Sequence, residues 1–484
     1  MLFNSFSFAF FFIIVFFLYW FVFNKNLRVQ NFLIVVSSYV FYGWWDWRFL
    51  FLITISSFVD YSIGIGLSKQ DNPIKRRLLF SLSLMVNLGL LCFFKYYNFF
   101  VNSFVDAFSF FGYQLNITTL KIILPVGISF YTFQTISYAI EVYKKRLEPT
   151  RDILAFFAFI CFFPQLVAGP IEKATFLLPQ FLRKRFFNYN NAVDGFRQIL
   201  WGLFKKVVVA DNCAQFVNIV YNNSSNHSGS NMAFGVLLFC FQIYADFSGY
   251  SDIALGTSQL MGFRLGTNFR SPYFSKTVTE FWRRWHISLS IWFRDYVYNP
   301  LSIRFRYWGL VGIIFSTNIL FLIIGLWHGA KWNFVFFGFL QGFAITYEIL
   351  SRKIRKKLSK SIPSLFYSLI SMLITFSFWT FSLVFFRSEN IFQAFRILKS
   401  ICSVSLFYLP TASLFSGTNC HPLTLIFLII LFVFIEWQGK EEQYAIEKLG
   451  LKWPIYARWA MYYVFIFCIF NFAGSGEQFI YFQF

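Results

Sequence analysis

Apolar runs long enough to cross a bilayer leave this chain few folds to choose from. Stretches near 5–23, 31–45, 49–67, 78–97, 121–141, 152–170, 232–260, 307–327, 332–350, 364–386, 423–437 and 457–473 carry few charges. About 20 apolar residues take a helix across the hydrocarbon core, and in lipid a helix satisfies its own backbone hydrogen bonds. The expected fold class is an all-α polytopic membrane protein of about 10 to 12 helical elements, some re-entrant or interfacial. Composition points the same way. Only 13% of residues are charged, where a soluble domain carries about a quarter, and no aqueous core absorbs 75 Phe. The opening run SFSFAFFFIIVFFLYWFVF lacks a basic lead-in and a small-residue cleavage site, so it reads as a retained first span.

The formal charge of +21 does not point to nucleic acid, because the cations punctuate apolar runs instead of building one basic surface. IKRR (74–77), KKRLEPTR (144–151), RKR (183–185) and RKIRKKLSK (352–360) have the pattern of cytoplasmic loops. That rule places 69–77, 144–151, 352–360 and 438–455 inside, with both chain ends and 387–422 outside. The side occupied by 171–306 stays open. The Cys residues are odd in number and show no CxxC spacing, so neither a disulfide framework nor a zinc site is expected.

Residues 196–221 and 275–301 differ in kind, mixing apolar residues with Lys, Arg, Asp and Trp at helical spacing. In the second, Trp282, Trp285, His286, Leu289, Trp292, Phe293 and Tyr296 fall on one face of a continuous helix, and Arg283, Ser290 and Arg294 on another. By itself this is also the pattern of a helix lying in the headgroup layer.

The chain has four His. His227 and His421 sit in polar loops. His286 and His328 are flanked by Trp within apolar sequence, where an ionisable group is costly and normally faces a cavity or a partner. Attack of a hydroxyl on a thioester needs a base for the hydroxyl proton and a donor for the developing oxyanion or thiolate. An imidazole serves either purpose, and burial keeps it neutral and able to accept. No metal is called for, since two His without a carboxylate cluster make a poor zinc site. There is no GxSxG and no Walker-type loop. Gln242 and Asp246 read either as the lining of a polar path or as helix-to-helix contacts.

The stretches SSYVFYGWWDWRFL (37–50), LPVGISFYTFQTISYAIEVY (124–143), FFPQLVAGPI (162–171) and QIYADFSGYSDIALG (242–256) are followed by NFRSPYFSKTVTEFWRRWHISLSIWFRDYVYNPL (268–301). GLWHGAKWNFVFFG (325–338), FFRSENIFQAF (385–395) and FIYFQF (479–484) complete the series. Together and in this order they resemble the membrane-bound O-acyltransferase family, and within it the bacterial alginate O-acetyltransferase branch. The resemblance implies one membrane domain over 1–484, with spans in 1–120, a motif-bearing core over about 121–350 and further spans in 361–484. It implies a ring of helices around a central tunnel, in the bacterial inner membrane. It makes His328 the family histidine and His286 a second functional histidine. No cofactor is expected to be bound. A cytoplasmic thioester, acetyl-CoA or an acyl-carrier thioester, is the implied donor, and a periplasmic SGNH hydrolase-like partner would pass the acetyl group to a polysaccharide acceptor.

Trp282, Arg283, Asp246, Gln242 and Trp327 are expected along the substrate path, the Trp side chains as packing around it. Lys276, Arg283 and Arg284 meet either the donor's phosphates or anionic lipid headgroups. Transfer of D-alanyl or another acyl group to teichoic acid or peptidoglycan is the nearest alternative activity. A flippase or a non-catalytic scaffold is the alternative in kind. Neither an inverted repeat nor a pair of matching broken helices supports the flippase.

Overall fold

The structure, a computed structural model, describes every residue except 114, 116, 118, 168, 410–417, 419, 475, 476, 478 and 481–484. The last four residues of the FIYFQF stretch therefore lie outside the described residues. Among the described residues the regular structure is helical throughout, with no strand. The chain forms two compact units, residues 1–192 with 257–266 and residues 193–256 with 267–484.

The first unit holds α1 (Phe6–Phe17), α2 (Leu27–Gly43), α3 (Phe49–Lys69), α4 (Pro73–Leu91), α5 (Tyr97–Phe110), α6 (Ile128–Tyr143), α7 (Ile153–Cys161), α8 (Phe163–Leu166) and α9 (Ala174–Phe181). Local chemistry sets their starts: the Asn72 side chain caps α4 ahead of Pro73, and the Asp152 side chain caps α7. A buried polar cluster ties three of these helices together. Asn87 of α4 donates to Asp60 of α3 and accepts from Ser56 of α3 and Thr135 of α6.

Two expected spans come out shorter than the sequence suggested. Over 121–141 the helix begins only at Ile128, after Gly127 at φ 73°. Over 152–170 it stops at Cys161, because Pro164 has no N–H to offer the Ile160 carbonyl and its ring would strike that carbonyl.

The remaining helices are α10 (Tyr189–Leu203), α11 (Asp211–Asn222), α12 (Gly229–Leu260), α13 (Val278–Arg284), α14 (Ile287–Phe293), α15 (Asn299–Arg304), α16 (Leu310–His328), α17 (Trp332–Leu350), α18 (Arg352–Ser361), α19 (Ser364–Arg387), α20 (Ile391–Ile401), α21 (Pro422–Gln438) and α22 (Ile455–Asn471). Among the described residues six helical runs are long and apolar enough to cross a membrane: Phe49–Lys69, Pro73–Phe110, Gly229–Leu260, Leu310–His328, Trp332–Leu350 and Ser364–Arg387. Phe6–Val22, Ile153–Leu166, Pro422–Gln438 and Ile455–Asn471 are apolar but shorter. The chain is a multi-pass membrane protein. The Gly229–Leu260 run is 83% buried within the protein, against 17% for Pro73–Phe110, so α12 is a protein-facing helix and α4–α5 a lipid-facing one.

Close helix approach in the second unit rests on glycine. A Cβ on Gly249 of α12 would meet the Gly202 carbonyl oxygen of α10 at 2.8 Å. A Cβ on Gly325 of α16 would stand 3.0 Å from the Cα of Gly338 on α17. The second pair closes the α16–α17 hairpin, whose turn follows directly on His328.

Candidate functional site

His328 is the last residue of α16, and Gly329 behind it turns to extended backbone. The imidazole is buried at 4% exposure. Trp327 and Phe386 meet it edge-on at ring-centroid distances of 4.9 and 5.2 Å. Phe337 of α17 closes a third side at 6.2 Å. These walls come from α16, α17 and α19, and the Gly325–Gly338 approach brings the first two together.

His286 does not lie on a continuous helix, and this corrects the single amphipathic face read over 275–301. α13 ends at Arg284, His286 stands at φ 42° and ψ 56°, and α14 begins at Ile287. The reason lies upstream in sequence. Asn268 accepts the Ile287 N–H at its carbonyl, and Arg270 donates its N–H to the Arg284 carbonyl. The 268–270 segment thus takes up backbone groups that a continuing helix would have used. A left-handed non-glycine residue costs about 1–2 kcal/mol, and such strain gathers at functional positions.

That turn buries the His286 ring completely. Phe247 of α12 stands perpendicular to it at 4.7 Å, and Trp327 lies at 5.9 Å. Trp327 is therefore a wall shared by both histidines. Asn268 also fixes the tautomer. Its Nδ2 donates to Ser251 Oγ, so its Oδ1 is the acceptor, taking the Ser288 hydroxyl at 2.9 Å and facing His286 Nδ1 at 3.0 Å. The proton accordingly sits on Nδ1 and leaves Nε2 with the lone pair. Burial, and then the nearby His328, hold the His286 pKa well below its ordinary 6.5, so the ring is neutral at physiological pH.

The other expected site residues fall in different places. Trp282 is buried on α13, its Nε1–H donating to Gln341 of α17, which in turn donates to Ser382 of α19. Arg283 is exposed, and Arg284 pairs with Glu280 at 3.0 Å. Gln242 is buried on α12, and its Oε1 finds no donor among the described residues. Asp246, one turn further along α12, is engaged elsewhere: it pairs with Lys206 at 2.8 Å and accepts the Ile480 N–H at 2.7 Å. Among the described residues it makes no hydrogen bond to either histidine. His227 meets Asn231, and His421 caps α21.

Sequence reasoning missed Asn268, which sits in an unremarkable NFRS loop. It also missed the buried ion pairs. Lys205 and Lys206 lie in a π-helical turn, Phe204–Ala210, between α10 and α11. Lys205 meets Asp252 at 2.5 Å, and Lys206 meets Asp211 at 2.7 Å as well as Asp246. Burial works against the Lys206 charge, but Asp246 and Asp211 outweigh it and keep the ammonium protonated. Burial lifts the Asp211 carboxyl to about 7 despite Lys206. Twin cations inside the apolar LFKKVVV, with acids one helix away at 246 and 252, were the available signal.

Comparison with known proteins follows the same residues. The MBOAT, membrane-bound O-acyltransferase, family matches residues 144–386, a range that contains both histidines, Trp327 and Asn268. A "Probable alginate O-acetylase" of Pseudomonas aeruginosa is 35% identical over 84% of this chain and 76% of that one. A "Peptidoglycan O-acetyltransferase" of Helicobacter pylori is 32% identical over 100% of this chain and 98% of the other. A "Teichoic acid D-alanyltransferase" of Bacillus subtilis is 27% identical over 54% of this chain and 69% of its own. The chain belongs to the membrane-bound O-acyltransferase family and is a membrane O-acyltransferase.

Proposed function

We propose that this enzyme moves an acetyl group from a cytoplasmic thioester, acetyl-CoA or an acyl-carrier thioester, for O-acetylation of a cell-surface glycan. Relatives named for alginate and for peptidoglycan O-acetylation, matching most or all of the chain, support that acceptor class. The enzyme would sit in the bacterial inner membrane. Its immediate acceptor would be the serine of a periplasmic SGNH hydrolase-like partner, or the glycan hydroxyl itself.

One observation carries the chemistry: two buried imidazoles share the Trp327 wall, one of them with its tautomer fixed. His328 takes the proton of the attacking hydroxyl. The oxygen bonds to the acetyl carbonyl carbon, the C–S bond breaks, and the thiolate leaves with a proton returned from the pair. His286 holds its Nδ1 proton on Asn268 and offers Nε2 for proton handling. Only one ring carries a charge at a time, because each cation disfavours the other. Apolar aromatic walls keep water from the thioester and strengthen each remaining dipole.

The test supplies labelled acetyl-CoA to inverted vesicles carrying the protein, with its hydrolase-like partner co-expressed. Wild type is expected to transfer label to the acceptor. His328→Ala should lose at least about a hundredfold in rate, and His286→Ala a comparable amount, at matched folded protein. Equal transfer by wild type and His328→Ala removes that histidine from the mechanism. With a D-alanyl carrier-protein thioester supplied alongside, transfer of D-alanine in preference to acetyl moves the enzyme to the teichoic acid class.

A further inference from the structure

A cavity of about 420 Å³ lies among the C-terminal half of α17, α18 and the N-terminal half of α19, a volume in the range of small-molecule sites. Phe343, Ile362, Ile370, Ile374 and Phe378 make its walls apolar, while Lys276 and Arg355 bring two cations to the lining. Glu348 also borders it, but its carboxylate is occupied by the Val278 N–H, the Thr279 N–H and the Thr279 hydroxyl at the start of α13. Arg355 donates one Nη to the Glu348 carbonyl at 2.8 Å. Its buried Nε–H meets no acceptor among the described residues. Neither Lys276 nor Arg355 is in an ion pair among the described residues.

α18 adds the second half of the argument. Arg352, Lys353, Arg355, Lys356, Lys357 and Lys360 crowd one short helix with no acid among them. Ile354 and Leu358, one turn apart, form its apolar side, and Leu358 lines the cavity. A basic amphipathic helix of this kind lies at an anionic membrane surface. We propose that the cavity holds one acyl chain of an anionic glycerophospholipid whose phosphate lies against Arg355 and Lys276. The apolar walls accept the chain of any phospholipid. The two unmatched cations select the headgroup, since a zwitterionic lipid brings its own cation to the same place. Val278, the first residue of α13, also borders the cavity, so the lipid would touch the helix that leads to His286.

The test reads lipid retention and not acyl transfer, so it stands apart from the proposed reaction. The full chain is equilibrated in nanodiscs of equal phosphatidylglycerol and phosphatidylcholine, extracted, and its retained lipid counted by mass spectrometry. Wild type is expected to keep phosphatidylglycerol over phosphatidylcholine by about 10- to 30-fold, the effect of two cations near the headgroup. Arg355→Gln should cut that preference severalfold. Ile370→Trp, which fills the cavity from an exposed α19 position, should lower retention of both lipids, and Ser371→Phe serves where the first variant fails to elute as a single species. Equal retention of the two lipids by wild type overturns the proposal. So does phosphatidylglycerol retention untouched by both cavity-filling variants, which would place the lipid on the outer face of α18. Displacement by soluble glycerol 1-phosphate would show that the headgroup alone binds, and it too overturns the acyl-chain site.

Discussion

Asn268 shows how much of a site can hang on a residue that sequence reading passes over. It holds the Nδ1 proton of His286 and the Ser288 hydroxyl through one oxygen, and the Ile287 N–H through its carbonyl. It thereby sets the ring's tautomer and the turn that presents it. Asn268→Asp would put a carboxylate beside Nδ1–H and raise the His286 pKa by about 1–3 units. A protonated His286 has no lone pair to offer, so the acid limb of the rate–pH profile should move to higher pH, with the alkaline side unchanged. Profiles that superimpose would make Asn268 a packing residue only. The two histidines were legible in the sequence because an imidazole among Trp and apolar residues stands out. Asn268 was not, since Asn is an ordinary loop residue and its partner is 18 positions away.

The elements that place the site are partly visible in the sequence and partly the result of tertiary override. The α16–α17 hairpin was readable: two apolar runs joined at GLWHGAKW became Leu310–His328 and Trp332–Leu350. The helix over 275–301 was not, because its periodicity persists through a break imposed by backbone groups at 268–270. Helix packing here should be intolerant of added volume. A Cβ on Gly338 would collide with the Phe321 carbonyl of α16, so Gly338→Ala is expected to cost roughly 1–3 kcal/mol. The variant should splay α16 from α17 and slow transfer by displacing His328 from Trp327. A melting temperature in detergent and the vesicle assay check both halves. An unchanged rate with a lowered melting temperature would separate packing from positioning.

At the scale of the whole molecule, the apolar spans were the most legible feature. The charge-bearing interior was the least, because the pairing of Lys206 with Asp211 and Asp246 depends on which helices face each other. Those buried groups also set how stability answers pH. Folded His286 stays neutral, whereas an unfolded one has the ordinary 6.5. Below 6.5 the unfolded chain gains a proton that the folded one refuses. This contribution is therefore intact above 6.5 and declines by about 1.4 kcal/mol per pH unit beneath it. Asp211 and Glu172, lifted by burial to about 7, act with the opposite sign and lose stability as pH rises towards 7. The readable quantity is consequently a difference. Between pH 6.5 and 5.5, where the unfolded imidazole is still titrating, wild type should lose more stability than His286→Gln by about 1 kcal/mol, as followed by thermal melting. Parallel curves would mean that the imidazole is charged in the folded protein.

The indole of Trp327 stands edge-on to one imidazole and tilted against the other. A proton arriving on either ring sets a cation close to that indole, and an excited indole readily gives an electron to a protonated imidazole and so loses its emission. If the proposed proton transfers run through these two rings, Trp327 is also their natural dye: in a background where it alone emits, the brightness of the enzyme would dim and recover once with every acetyl group passed on.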